Sequence, residues 1–164
     1  MTQLFSNLFY ISPVLFTLMF ATLALSNWST YWIAAVIASL VEFFIIGSLL
    51  KMITVKTKTA SLRPKYHEEE KLTYERNGMP SAHVSNAVFS IIIVCYFLMS
   101  CSKSIAKNVI ILLISIAIVC GVAWQRIYTL MHTKKQVAVG SMVGIVEAFL
   151  FLFIFKLCEK KTIC

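Results

Sequence analysis

The sequence predicts an all-α integral membrane protein, a bundle of about five transmembrane helices, and three observations predict it. The 164 residues are 59% hydrophobic with a mean hydropathy of +0.83, far outside the range of soluble domains. The apolar residues gather in five runs, each long enough or nearly so to cross a hydrocarbon layer of about 30 Å, which takes about 20 helical residues. The runs are continuous rather than alternating, which argues against membrane strands. A chain of this length forms one domain, 1–164.

The first run, 8–26, has no basic residue ahead of it, carries Pro13 and lacks a small-x-small cleavage site. It is therefore expected to be a span rather than a signal peptide. The second, 30–52, contains Glu42. The third, 82–101, follows "NGMPSAH", in which an Asn-Gly turn leads to Pro80 at a helix start, where its missing N–H costs nothing. The fourth, 108–127, ends at "QRIYTLMHTKKQ", and the fifth, 137–157, contains Glu147. A carboxylate within a span is costly and marks a functional candidate, unless Ser, Thr or backbone groups of neighbouring helices pair it.

Five spans make the connections alternate between two faces. Segments 1–7, 53–80 and 128–136 share face A, and 27–29, 102–107 and 158–164 share face B. His67, His83 and His132 all lie on or near face A. Ten of the 15 Lys and Arg do too, which by the positive-inside rule would make face A cytoplasmic. That count loses weight if some of those cations hold a ligand. Glu68, Glu69, Glu70 and Lys71 read as a solvated surface piece. The net charge of +8 does not imply nucleic acid, because no recognition helix, zinc motif or RNA-binding signature accompanies it; basic residues at span ends meet lipid headgroups. The five cysteines have no metal-like or paired spacing, and no disulfide framework is expected.

Three face A segments carry chemistry together. In "KTKTASLRP", Lys56 precedes Arg63 and Pro64; in "PSAH", Ser81 and His83 flank Ala82; in "QRIYTLMHTKKQ", Arg126 precedes His132, and Gln136 follows. Lys56, Arg63 and Arg126 supply three cations, and the guanidinium fork matches phosphate oxygens. Ser81 offers a hydroxyl. The N–H groups around Ala82 and His83 are the unpaired donors of a helix's first turn, with the positive end of its dipole behind them. Such a set cages a phosphoryl group and the extra charge of its transition state. Of two histidines near neutrality, one can attack phosphorus and the other can protonate the leaving oxygen. No metal or cofactor is expected, because no His, Cys and carboxylate cluster has ligand spacing.

Lys-x6-Arg-Pro, Pro-Ser-x-His and Arg-x5-His, in that order, resemble the signature of the type 2 phosphatidic acid phosphatase superfamily, with motifs here at 56–64, 80–83 and 125–136. The resemblance implies an integral membrane lipid phosphatase whose partners are a lipid phosphate or diphosphate and the bilayer. His132 would be the nucleophile forming a phosphohistidine, and His83 the acid for the leaving group and then the activator of water. Lys56, Arg63, Ser81, Ala82 and Arg126 would bind the phosphate, with Arg126 also steadying the transition state. Three positions depart from the pattern. Gln125 stands where serine is usual, Ala82 replaces a glycine, and Gln136 replaces an aspartate that orients the histidine. Gln136 could still accept a hydrogen bond from His132 through its carbonyl. "GMPSAH" and "HTKKQV" look like the dolichyl diphosphatase branch, which would put the active site in the lumen of the endoplasmic reticulum. Two other functions fit parts of the sequence: a phosphate-lipid-binding protein without turnover, and a small transporter with Glu42 and Glu147 on its pathway. The sequence specifies no oligomeric state.

Overall fold

The computed structural model describes residues 9, 11–27, 30–56, 62–64 and 76–158. Among them the chain is a helical bundle: α1 (Ser12–Asn27), α2 (Thr30–Lys56), α3 (Ala82–Cys101), α4 (Ile105–Tyr128) and α5 (Lys134–Cys158). The only extended pairing among the described residues is a single antiparallel bridge between Leu62 and Asn77.

Four of the helices, α2 to α5, are long and apolar enough to cross a membrane. The described part of the first run is shorter. Its described helix has 16 residues, about 24 Å at 1.5 Å per residue, which is short of a full crossing. The predicted start of that run, at residue 8, lies outside the described residues. The second helix runs on past its predicted end to Lys56, and that extension changes which lysine reaches the site. The charge run Glu68–Lys71 and His67 also lie outside the described residues.

Helix α3 is the axis of the bundle. Small and polar residues (Ser85, Asn86, Ala87, Ser90) line its buried surface, and α5 approaches it closely through Gly140 and Gly144. A Cβ at Gly140 would stand 2.6 Å from the Ser81 carbonyl oxygen, and one at Gly144 would press on the Ser85 carbonyl. This Gly-x3-Gly contact follows the rule for helices in lipid, where small residues let backbones meet because oily surfaces gain nothing by pairing. An aromatic cluster locks the opposite end: Trp32 and Phe97 rings lie 4.6 Å apart and Tyr31 and Phe155 rings 5.0 Å apart. The Tyr31 hydroxyl donates to the Ile93 carbonyl at 2.7 Å, so its polar tip is satisfied.

One turn of α2, Val41–Ile46, is a π-helix in which the Gly47 N–H bonds back to the Glu42 carbonyl. Its buried Glu42 carboxylate accepts from Asn86 Nδ2 at 2.7 Å, and Glu147 accepts from Ser85 Oγ at 3.2 Å. Both intramembrane carboxylates are thus paired with polar groups of α3. Cys101, at the end of α3, is disulfide-bonded, while Cys95, Cys120 and Cys158 are free. Its spacing from the other cysteines follows no recognisable framework, so the sequence carries no cue to it.

Candidate active site

Residues 77 to 81 are held as a rigid turn before α3 by one side chain. Asn77 is fully buried; its Oδ1 accepts from the Met79 N–H at 2.9 Å, and its Nδ2 donates to Thr54 Oγ1 at 2.8 Å and to the Lys51 carbonyl at 3.2 Å. The turn is therefore clamped to the last turns of α2. Arg63 joins it from the other side: its N–H bonds the Arg76 carbonyl at 3.1 Å and its Nε donates to the Asn77 carbonyl at 3.4 Å. Ser81, not Pro80, is the N-cap of α3; Pro80 precedes the cap, after a cis Met79–Pro80 bond. The N–H groups of Ala82 and His83 therefore belong to the helix's first turn, where no intrahelical acceptor exists.

Helix α4 ends in a Schellman arrangement. The Leu130 N–H bonds the Ile127 carbonyl at 3.0 Å and the Met131 N–H the Arg126 carbonyl at 3.1 Å, with Leu130 at φ 55°. The reversal brings His132 back against Arg126, whose carbonyl also accepts the His132 N–H at 3.0 Å. His132 is 2% exposed, and its Nδ1 lies 2.8 Å from the Gly78 carbonyl oxygen. A carbonyl only accepts, so Nδ1 carries the proton and Nε2 keeps its lone pair. Burial, then the positive charges of Arg126 and Arg63, hold this imidazole's pKa down at about 3, well below its ordinary 6.5. His132 is neutral at physiological pH.

A cavity of about 270 Å³ opens beside it, lined by Lys51, Arg63, Arg126, His83, His132 and Ala82, with Phe43, Phe44, Gly47, Ser48 and Met131. Three cations and two histidines converge there, and no carboxylate lines it among the described residues. The field suits a polyanion, and the low-dielectric walls strengthen it. The His83 ring meets Phe43 edge to face at 5.5 Å. The Ala82 methyl finds room because Gly47 lies opposite: a Cβ at Gly47 would sit 3.3 Å from it.

The predicted site residues thus separate. Arg63, Ala82, His83, Arg126 and His132 come together at the cavity. Ser81 is buried at the cap without lining it, its Oγ finding no partner among the described residues. Gln125 is buried in the last turn of α4 and its carbonyl accepts from Thr129. Lys56 lies apart from them. It is exposed at the C-terminal end of α2, and Lys51 lines the cavity instead. With 3.6 residues per turn, five residues rotate a side chain by about 140°, so the two lysines leave α2 on different sides.

Gln136 is held by other partners among the described residues. Its Oε1 accepts from the Thr133 N–H at 3.0 Å, its Nε2 donates to the Leu62 carbonyl at 3.0 Å, and its own carbonyl accepts the Ser81 N–H at 3.3 Å. The Gly78 carbonyl takes the orienting role, because the Gln136 amide packs where a Gly78 Cβ would project. Lys51 does have a signal in the sequence: a lysine inside an apolar run, one turn beyond Gly47, is itself an intramembrane charge.

No curated protein and no solved structure matches the chain. A family model does, and its span takes in every segment that meets at the cavity, from α2 through the His132 turn. That model, described as PAP2 superfamily, covers residues 31–159, and the chain belongs to this superfamily, whose members generally hydrolyse phosphate esters.

Proposed function

We propose that the protein hydrolyses a lipid phosphate or diphosphate, of the polyprenyl (dolichyl-like) type, through a phosphohistidine on His132. The observation that carries this reading is the state of His132: Nδ1 is committed to the Gly78 carbonyl, and Nε2 keeps its lone pair beside a cavity of three cations. Lys51, Arg63 and Arg126 bind the non-bridging oxygens, with the N–H groups of Ala82 and His83 behind them. The Nε2 lone pair attacks phosphorus as the bond to the leaving oxygen breaks, and His83 gives that oxygen its proton. His83, now neutral, takes a proton from water as the water oxygen displaces Nε2. Inorganic phosphate leaves, with a lipid monophosphate or alcohol as the other product. Burial of His132 keeps the nucleophile unprotonated, and the cations stabilise the charge gathering on the transferring group. Gln136 supports the reading by joining Leu62, Ser81 and Thr133, so the three segments hold one register. On the dolichyl-like reading the cage opens to the lumen of the endoplasmic reticulum.

The test is phosphate release by detergent-purified protein from a polyprenyl diphosphate in EDTA, beside His132→Ala, with acid-quenched protein examined for phosphohistidine. Release and trapped phosphate in wild type, both absent in the mutant, are expected. Binding of the lipid with no release from wild type would instead make the cage a headgroup-binding site.

A further inference from the structure

The polar cavity has an apolar neighbour. Phe43 and Phe44, consecutive residues of the π turn, line it, and both also line an apolar cavity of about 200 Å³ between α1 and α2. The other walls of that second space are Pro13, Val14, Thr17, Leu18 and Leu40. Two cavities that share two rings adjoin across them, one charged and the other hydrocarbon. The π turn makes this possible. An i→i+5 turn holds more residues than an α turn, so successive side chains diverge less and both rings reach both cavities. Phe43 and Phe44 stand edge to face, 5.2 Å between centroids.

The groove is apolar even where its residue is polar. The Thr17 hydroxyl donates to the Pro13 carbonyl at 2.9 Å and lies 3.3 Å from Ser39 Oγ, so its polar atom is occupied. The groove is also open sideways, since Val14, Leu18 and Phe44 are 59%, 58% and 64% exposed on a lipid-facing surface. A chain can slide in from the bilayer without threading through a pore.

A larger apolar cavity, about 470 Å³ among α3, α4 and α5, competes for the same role. It shares no lining residue with the charged cavity, so a lipid seated there would not adjoin the site at His132. Adjacency to the charged cavity, not volume, selects the smaller groove.

We infer that the first hydrocarbon segment of the substrate lies in the α1–α2 groove, crossing at Phe43 and Phe44, and that Val14, Leu18 and Leu40 determine which tail is accepted. This rests on the lipid-phosphate reading above. Helix α1 then has a role as one wall of the substrate site.

The test compares the full-length protein on two substrates with one headgroup, a long polyprenyl diphosphate and a single-isoprene diphosphate. Val14→Trp and Leu18→Trp fill the groove from exposed positions, where bulk displaces no buried packing; Ile116→Trp fills the larger cavity. The groove variants are expected to lose on the order of tenfold in kcat/KM for the long substrate and to stay within about twofold for the short one. Ile116→Trp is expected to change neither. Groove variants that treat both substrates as wild type does, or a selective loss in Ile116→Trp, would overturn the assignment. A binding readout separates this from failure of the hydrolase reading: a polyprenyl phosphate with a photoreactive group on its first tail carbons should label residues 13–18, in wild type and His132→Ala alike. Labelling of α4 or α5 instead overturns the groove whether or not phosphate is released.

Discussion

Gly140→Ala adds one methyl group and changes no charge, and the structure allows its effect to be worked out. The new Cβ would lie 2.6 Å from the Ser81 carbonyl oxygen and 3.2 Å from both Ser81 N and Cβ. Ordinary non-bonded contact is roughly 3.5 Å, so the start of α3 must retreat by about 0.9 Å. Nothing flexible is present to absorb the shift, since the nearest obstructing atom belongs to the backbone. Overpacking of this kind costs about 1–3 kcal/mol of stability. The displaced residues are Ser81 and, directly after it, Ala82 and His83, which line the cavity. A misplacement of about 1 Å in such a site costs on the order of a hundredfold in rate. The expected result for purified, monodisperse Gly140→Ala is therefore a fall of about ten- to a hundredfold in kcat/KM, with a modest drop in thermal midpoint. Gly121→Ala is the control, because its methyl would meet the Phe9 ring, a side chain that can turn aside. If Gly140→Ala keeps wild-type turnover while remaining folded, the contact between α5 and the cap of α3 does not position the site, and the reasoning fails.

Exchanging the two lysines separates motif spacing from geometry: Lys51→Met should lose about tenfold or more in kcat/KM, while Lys56→Met stays within about twofold, measured by phosphate release. Leu130 holds φ 55°, where a β-carbon is strained, so Leu130→Gly should stabilise the fold by up to about 1 kcal/mol, read from thermal unfolding. His132 is held neutral down to about pH 3, whereas its unfolded value is 6.5. Above pH 6.5 neither state binds that proton; as pH falls from 6.5 towards 3 only the unfolded state does, so stability declines. Wild type should lose thermal midpoint as pH falls below 6.5 more steeply than His132→Gln, and bound phosphate should flatten the difference.

The helices were legible because an apolar run has few alternatives in lipid, and α3 keeps its expected bounds, 82–101. Arg63, His83, Arg126 and His132 were legible because their chemistry resides in side chains of recognisable type and order. What escaped depends on rotation and backbone. Lys56 has the right spacing along the chain, but α2 continues helically to that residue and turns it outward. The partner of His132 is a main-chain carbonyl 54 positions away, which no side chain announces. Gln136 was expected beside the imidazole by analogy with a carboxylate, yet the amide packs against Gly78 and bonds elsewhere. The π turn at 41–46 has no compositional mark at all, although it directs Phe43 and Phe44 onto both cavities.

The bonds of Gln136 have a consequence for how the binding field can be altered. An amide gives and receives at once: its Nε2 supplies the Leu62 carbonyl while its Oε1 serves the Thr133 N–H. A carboxylate could do only the second, and would turn a negative oxygen towards Leu62. It would also place a fixed anion behind a pocket whose described walls carry none, where it would draw on the same cations the substrate needs. A neutral brace leaves the full positive potential of Lys51, Arg63 and Arg126 to the incoming phosphate. Attraction for the anion and cohesion of the frame that holds it are then separate properties, and either can change without weakening the other.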